Sequence, residues 1–502
     1  MGRSEARGLF AITACALTGI ALPNNAEATT TRIYTLGVMN RFIVDDANKW
    51  LYPQAILKYG NLFYIDLFGS DPSRAATAPG SERSANVMQQ GPGMLAGTDL
   101  QIYDLADGVP VMQSAGGGAI VKIGDDLALS MHLSDYENQT IPMLLAVLAG
   151  SSQGSPNAFP WLPTPPPAPG SANRKFDFFA AYNVQDIARF GLALSYGSSK
   201  YTRNPNQNDP MIAVDMNGNV EARKIDEIGT SELGFLAGAS LDIGEVATID
   251  SGFGMKFHGL TYSPNQRNLI GGGGGTEIQG DVRALIGLTD WWELVPAISI
   301  RYLNVSAQDL GNFTNGIRYD AVGMDYFITD VAIHRLVFDL GAAGHFRPTD
   351  FIDFWAATGL MFGYWSAQFE NTINDDPNNG AVRDQALDFS RDTLSYSWVP
   401  YFRFAIEARV FSWLDFRGGV VKYLYSTTVK QDQLDKDMAE SNRLNDITRS
   451  AAFFDYFVGA ALHYEGFFLD LQIDPSWFGR GPNFLSGASA PMFINASLGY
   501  RF

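Results

Sequence analysis

Apolar residues recur at every second position through most of this chain, in segments of about ten residues, and that period of two constrains the fold more than any other feature. Phe467, Leu469, Leu471 and Ile473 alternate with Phe468, Asp470, Gln472 and Asp474. Phe454, Tyr456, Val458, Ala460 and Leu462 alternate with a set that contains Asp455 and His463. Trp398, Phe402, Phe404, Ile406, Ala408 and Val410 share one parity, and Arg403, Glu407 and Arg409 share the other. The same rule runs through 190–196, 253–257, 282–288 and 292–302. Side chains of a strand point alternately to its two faces, so each segment is a two-faced strand. Past the N-terminus there is no run of about 20 apolar residues, so helical membrane spans are excluded. Charged residues make up only 18% of the chain, fewer than a soluble domain usually carries.

Two-faced strands need two surroundings. In a soluble sandwich the polar face meets water; in a membrane barrel it meets the lumen and the apolar face meets lipid. Three features select the barrel. The first is an export signal. Arg3 and Arg7 precede an apolar stretch from Leu9 to Leu22, and Ala26-Glu27-Ala28 is a small-x-small cleavage site, so residues 1–28 are expected to be removed. A competing reading takes Ile12-Thr13-Ala14-Cys15 as a lipidation box, but the apolar stretch before it is short. The second is the last strand, in which Leu498, Tyr500 and the terminal Phe502 share one face. It resembles the C-terminal insertion signal of bacterial outer-membrane barrels, which the barrel-assembly machinery reads. The third is strand length, enough to cross a bilayer when tilted.

The breaks between strands fall into two classes. Short ones lie at Gly124-Asp125-Asp126, Gln185-Asp186, Gly244-Glu245, Thr289-Asp290, Pro348-Thr349-Asp350, Ser412-Trp413 and Glu465-Gly466. They carry the Asp and Gly of hairpin turns. Long ones lie near 69–113, 135–173, 198–228, 261–275, 305–332, 368–394, 428–450 and 475–491. Short turns inside and long loops outside is the outer-membrane pattern. The expected fold is all-β: a transmembrane antiparallel barrel of roughly fourteen to sixteen strands over 61–502, even in number with both ends periplasmic. Placing 319–329 in an outer loop keeps the count even. Trp291, Trp292, Trp365, Trp398, Trp413 and Trp477 fall near expected strand ends, where interfacial belts favour such rings.

Residues 29–60 do not read as strands. Pro53 can start a short helix through Gln54, Ala55, Ile56, Leu57 and Lys58, with Gly60 as its stop. Asp45, Asp46 and Ala47, followed by Pro53, Ala55, Ile56 and Leu57, resemble the front of the FadL/PorV-like outer-membrane barrels. In that family an acidic-Ala stretch precedes an Asn-Pro-Ala motif and a short helix. Here Tyr52 replaces the Asn, and Gln54 separates Pro53 from Ala55. The resemblance covers only this segment and the barrel pattern. It implies a hatch inside the lumen ahead of the first strand, and uptake of hydrophobic compounds that leave through the barrel wall. Without it, the segment reads as a periplasmic helical turn.

Function is read from the remaining chemistry. The polar parities give candidate lumen charges: Arg189, Asp250, Lys256, Glu277, Asp281, Arg283, Arg301, Arg403, Glu407 and Arg409. The net charge of −18 excludes a nucleic-acid partner, because no basic surface would neutralise phosphates. Cys15 is the only cysteine and falls in the export signal, so the mature chain has no thiolate chemistry. His132, His258, His334, His345 and His463 are scattered, and no Gly-x-Ser-x-Gly elbow accompanies them, so no enzyme, cofactor or metal site is expected. Gly271 to Gly275 lacks the Lys and Ser/Thr of a phosphate cradle and reads as a flexible loop. The stretches 374–380 and 215–219 resemble calcium loops only faintly, lacking the closing Glu. Phe159, Trp161 and Leu162, in a loop ending Pro-Pro-Pro-Ala-Pro-Gly, offer an apolar first contact on the outside. The expected partners are outer-membrane lipid and a hydrophobic small molecule. The alternatives are a general diffusion porin, and a non-conducting barrel that serves as adaptor or carrier for secreted proteins.

Overall fold

In the computed structural model the described residues are 29–37, 40–68, 115–135, 172–184, 187–203, 226–244, 246–263, 271–311, 318–319, 324–374, 385–434, 441–473 and 493–502. Sixteen antiparallel strands pair in sequence order. They are β1 (Leu62–Phe68), β2 (Ala115–Ile123), β3 (Leu127–Ser134), β4 (Ala172–Val184), β5 (Ala188–Arg203), β6 (Asp226–Ile243), β7 (Ala247–Ser263) and β8 (Gly271–Thr289). They continue as β9 (Trp292–Gly311), β10 (Met324–Thr349), β11 (Ile352–Asn374), β12 (Gln385–Phe411), β13 (Leu414–Leu434), β14 (Ser441–Tyr464), β15 (Phe467–Ile473) and β16 (Phe493–Arg501). β1 pairs with β2 on one side and β16 on the other, Tyr64 lying opposite both Gly118 and Gly499, so the sheet closes on itself. Closure leaves no unpaired edge in hydrocarbon. A two-residue pair, Arg318–Tyr319 with Met324 and Asp325, lies outside this circuit.

The alternation sorts side chains as the sequence requires. On β5, Phe190, Leu192, Leu194 and Tyr196 are exposed outward. On β1, Phe63, Ile65 and Leu67 face out, while Leu62, Tyr64 and Asp66 are buried inside. A continuous outward apolar face of this size belongs against lipid, and with a polar interior it makes the chain a multi-pass barrel of a Gram-negative outer membrane. Leu498, Tyr500 and Phe502 all face outward. A charge on this face is expected to cost about 2–4 kcal/mol at mid-membrane. Leu192→Arg, 64% exposed on β5, should lose that much stability in urea titrations of the protein folded into vesicles.

The structure corrects the sequence reading in several places. Strands run on into stretches expected as long loops: β9 to Gly311, β11 to Asn374, β12 from Gln385, β13 to Leu434 and β14 from Ser441. Gly271 to Gly275 is not a loop but the start of β8, paired with Gln308 to Val305 and with Tyr262 to His258. The stretch 319–329, expected in a loop, holds the start of β10 from Met324. Trp398 was expected on the lipid face and is buried inside. The pairing opposes Met361 to Trp398 but Gly359 to Tyr401, so Val399 and Pro400 form a bulge that inverts the parity above them. Phe493 shares the polar parity of Asn495, Ser497 and Arg501, which puts it on the inner face, yet it faces outward with Leu498 and Tyr500, because the register shifts between Gln472 and Ile473. Trp291, Trp292 and Trp413 are exposed beside short turns, as an interfacial belt requires. The export signal, the 158–162 loop, 215–219, 375–380 and Trp477 lie outside the described residues.

The described part of β15, β16, β1, β2 and β3 is seven to nine residues long. β10 to β14 run to 21–27 residues, about 50 Å or more of wall at about 3.3 Å per residue and a tilt near 40°.

Candidate functional site

The segment 29–60 folds inside the barrel, within its short-turn half, as an α-helix α1 (Thr30–Thr35) and two 3-10 turns (Asp46–Trp50 and Pro53–Lys58). Local chemistry explains each. Thr29 caps α1 by accepting from the Arg32 amide. Asp45 caps the first 3-10 turn, and Asn48 answers with its side chain to the Asp45 amide, a reciprocal capping box. Pro53 opens the second, where its missing N–H leaves no donor unpaired.

The contacts of this segment run round the full circumference. Leu51, Tyr52, Ala55 and Ile56 share an apolar cluster with Tyr64, Ile120, Phe179 and Phe468 on the side of β15 and β1 to β4. Ile33, Leu36, Phe42 and Ala47 share another with Val295, Trp355 and Ala405 opposite. Between them, the wall lacks side chains where the backbone of the segment comes closest. A Cβ at Gly191 would meet the Pro53–Gln54 peptide, and one at Gly419 would meet Leu36 and Gly37.

Charge pairs fix the segment to the wall. Arg32 lies 2.8 Å from Asp45 and 2.6 Å from Glu407 on β12. Glu407 also takes Arg417 at 2.5 Å, and Arg417 takes Asp470 at 2.5 Å. Arg41 pairs with Asp339 at 2.7 Å, whose other oxygen accepts from the Tyr401 hydroxyl. Arg283 on β8 holds Asp250 at 2.9 Å and donates to the Arg41 and Ile43 carbonyls and to Asn48. Its guanidinium also lies 4.5 Å from the centre of the Tyr52 ring. Lys49 donates to the Tyr64 hydroxyl at 2.7 Å and lies over the Trp50 and Tyr64 rings at 4.4 and 4.3 Å. Burial pushes the Asp46 carboxyl well above its ordinary value and lowers the Lys49 ammonium, in each case against the attraction of the other.

Asp45, Asp46, Ala47, Pro53, Ala55, Ile56 and Leu57 are all buried within this segment. Of the expected lumen charges, three pairs come together: Asp250 with Arg283, Asp281 with Arg301, and Lys256 with Glu277 at 3.8 Å. Arg403 is buried, and Glu407 is engaged by Arg32 and Arg417. Arg189 and Arg409 sit near the short turns, against Asp242 and Asp415. The sequence reading leaves out Arg32, Arg41 and Lys49 on the segment, and Asp66, Asp339, Arg417 and Asp470 on the wall. The wall set obeys the same parity and was legible; the three cations had no pattern to mark them. Above the second 3-10 turn, Lys175, Asp177, Glu232, Lys256, His258 and Glu277 form a mixed-charge cluster on β4, β6, β7 and β8, with Lys175 3.6 Å from Asp177 and His258 3.5 Å from Glu277. Among the described residues, no group of three or more His, Cys, Asp and Glu is placed to hold a metal ion.

No protein-family model matches the sequence, and no curated protein matches it. Solved outer-membrane barrels are similar in fold at low identity. A FadL homologue of Pseudomonas aeruginosa aligns over 95% of this chain and 99% of its own, at 10% identity and a TM-score of 0.38. The toluene transporter TodX of Pseudomonas putida aligns over 86% of this chain and 98% of its own, at 9% identity and a TM-score of 0.30. The ferric yersiniabactin uptake receptor FyuA of Yersinia pestis aligns over 72% of this chain and 66% of its own, at 10% identity and a TM-score of 0.35. The chain thus spans about two thirds of that receptor's length.

Proposed function

We propose that this barrel is a closed outer-membrane transporter for small hydrophobic compounds, with residues 29–60 as its hatch. One observation carries the reading: the segment that fills the short-turn half of the lumen meets wall on every side, with apolar side chains of segment and wall packed together beside β1, β2 and β15. A straight aqueous path to the periplasm has to pass 29–60, whose charges are paired to the wall. The inner face of β1, β2 and β15 carries Leu62, Tyr64, Ile120 and Phe468 next to the hatch, a lining that favours an apolar solute over a hydrated one. A general porin asks for an open bore with rings of free charge, and the pairing between hatch and wall speaks against it.

Uptake by vesicles containing the purified protein tests this. Apolar fluorescent probes should enter faster than into protein-free vesicles, and sugars of a few hundred daltons should not cross. Sugar permeation at porin-like rates, with no gain for the apolar probes, would overturn the reading.

A further inference from the structure

The start of the hatch lies over an unbalanced pair of carboxylates. Asp470, Ser497 and Asp66 form one row across three adjacent strands: Ser497 is paired in register with Asp470 on one side and with Asp66 on the other. All three are fully buried and face the lumen. Residues 29–31 are laid across this row. The Thr29 hydroxyl donates to Asp470 at 2.5 Å, the Thr31 and Ser497 hydroxyls lie 2.6 Å apart, and Ser497 donates to Asp66 at 2.5 Å.

The charges do not balance. Three cations, Arg32, Arg417 and Lys49, face five carboxylates: Asp45, Asp46, Glu407, Asp470 and Asp66. Arg417 serves Glu407 and Asp470; Arg32 serves Asp45 and Glu407. Asp415 nearby has its own partners, Arg409 and His463, and Lys49 is held by Asp46 and Tyr64. Asp66 receives the Ser497 hydroxyl on Oδ1, with the Thr30 side chain and the Lys49 ammonium also acting on it, and its Oδ2 is buried with no hydrogen-bond partner among the described residues. A carboxylate buried in this way asks for a cation.

The sequence supplies one. Cleavage after Ala28 makes Thr29 the first residue, and its backbone nitrogen becomes an ammonium with three donors. Thr29 is 1% exposed. Its hydroxyl already touches Asp470, so bond lengths alone put that nitrogen within about 6 Å of the carboxylate. We propose that the Thr29 α-ammonium released by signal cleavage docks inside the barrel against Asp470 and Asp66, so that export processing completes the seating of the hatch. Before cleavage the same nitrogen is a neutral amide with one donor, and the carboxylate row stays short of charge. The hatch is thereby seated in the processed chain and poorly seated in the precursor.

The proposal rests on cleavage after Ala28, and N-terminal sequencing of protein purified from outer membranes reads that step by itself. A first residue other than Thr29 overturns it. Given Thr29, the folded protein is treated at neutral pH with an amine-reactive ester, and labelling of the N-terminal peptide is followed by mass spectrometry. An ammonium held by carboxylates releases its proton at higher pH than a free one, so labelling should be at least about tenfold slower in the folded protein than in urea. The double variant Asp66→Asn with Asp470→Asn should recover most of that factor, with heat-modifiable gel migration confirming that the barrel still folds. Asp66→Asn alone should recover part of it. Equal labelling in folded and unfolded protein overturns the proposal, as does a slow rate that neither substitution changes. Neither arm depends on what the barrel transports.

Discussion

Deleting residues 29–60 is expected to convert the barrel from a closed to a conducting state, with steady conductance in planar bilayers rising at least about tenfold, as befits sixteen strands enclosing an aqueous channel. The apolar residues of the hatch, from Ile33 to Leu57, are packed against wall residues on both sides of the lumen. Removing them leaves a space lined by Asp250, Asp281, Arg283, Arg301, Asp339, Glu407 and Arg417, which water enters readily. The barrel itself should survive. Its ladders close without any pairing to 29–60, and the charges left behind become hydrated rather than buried and unpaired. Folding is checked by heat-modifiable migration of the truncated protein. Identical conductance of the full and truncated proteins would show that the hatch does not close the path.

Much of this fold was legible because a barrel writes itself locally. Each strand declares its two faces, and every short turn but Ser412-Trp413 carries Asp or Gly: Gly124 and Gly244 adopt the positive φ that only glycine takes easily. What escaped was of two kinds. One was the extra residue. The bulge at Val399–Pro400 inverts parity, which put Trp398 on the wrong face, and the shift beside Ile473 did the same to Phe493. A period-two reading assumes unbroken register, and nothing local at these positions announces the slip except Pro400. The other was pairing over long separations. Arg32 and Glu407 are 375 residues apart in the chain, and Arg41 and Asp339 are 298 apart. Parity could place Glu407 on the inner face, but only the closed barrel brings it to Arg32. The same holds for Asp66 and Asp470, which become neighbours of Ser497 only when the last strand meets the first. The five glycines at 271–275 were not missed but misread. Composition argued for a loop, yet pairing on both sides held them as strand.

The second large effect concerns Glu407, where one carboxylate holds two buried guanidinium groups. Arg32 and Arg417 have side-chain exposures of 3% and 1%, so neither charge can be hydrated once its partner is lost. Breaking one member of a buried pair costs about 3–5 kcal/mol. Asp45 and Asp470 remain beside Arg32 and Arg417, which puts Glu407→Gln near the bottom of that range. About 3 kcal/mol is roughly a hundredfold in an equilibrium constant. The loss falls mainly on hatch docking, because Arg32 belongs to the hatch while Arg417 keeps its wall partner. Amide exchange at Leu36 and Asn48, both hydrogen-bonded within the hatch, should therefore accelerate about a hundredfold if these amides open when the hatch undocks. Arg409→Ala is the contrast from the same strand. Arg409 is 44% exposed and lies 3.3 Å from Asp415, so water screens the pair and its loss costs about 1 kcal/mol or less. If the two variants exchange at the same rate, the Arg32–Glu407–Arg417 bridge does not hold the hatch, and the energy of closure resides in the apolar clusters on either side of it.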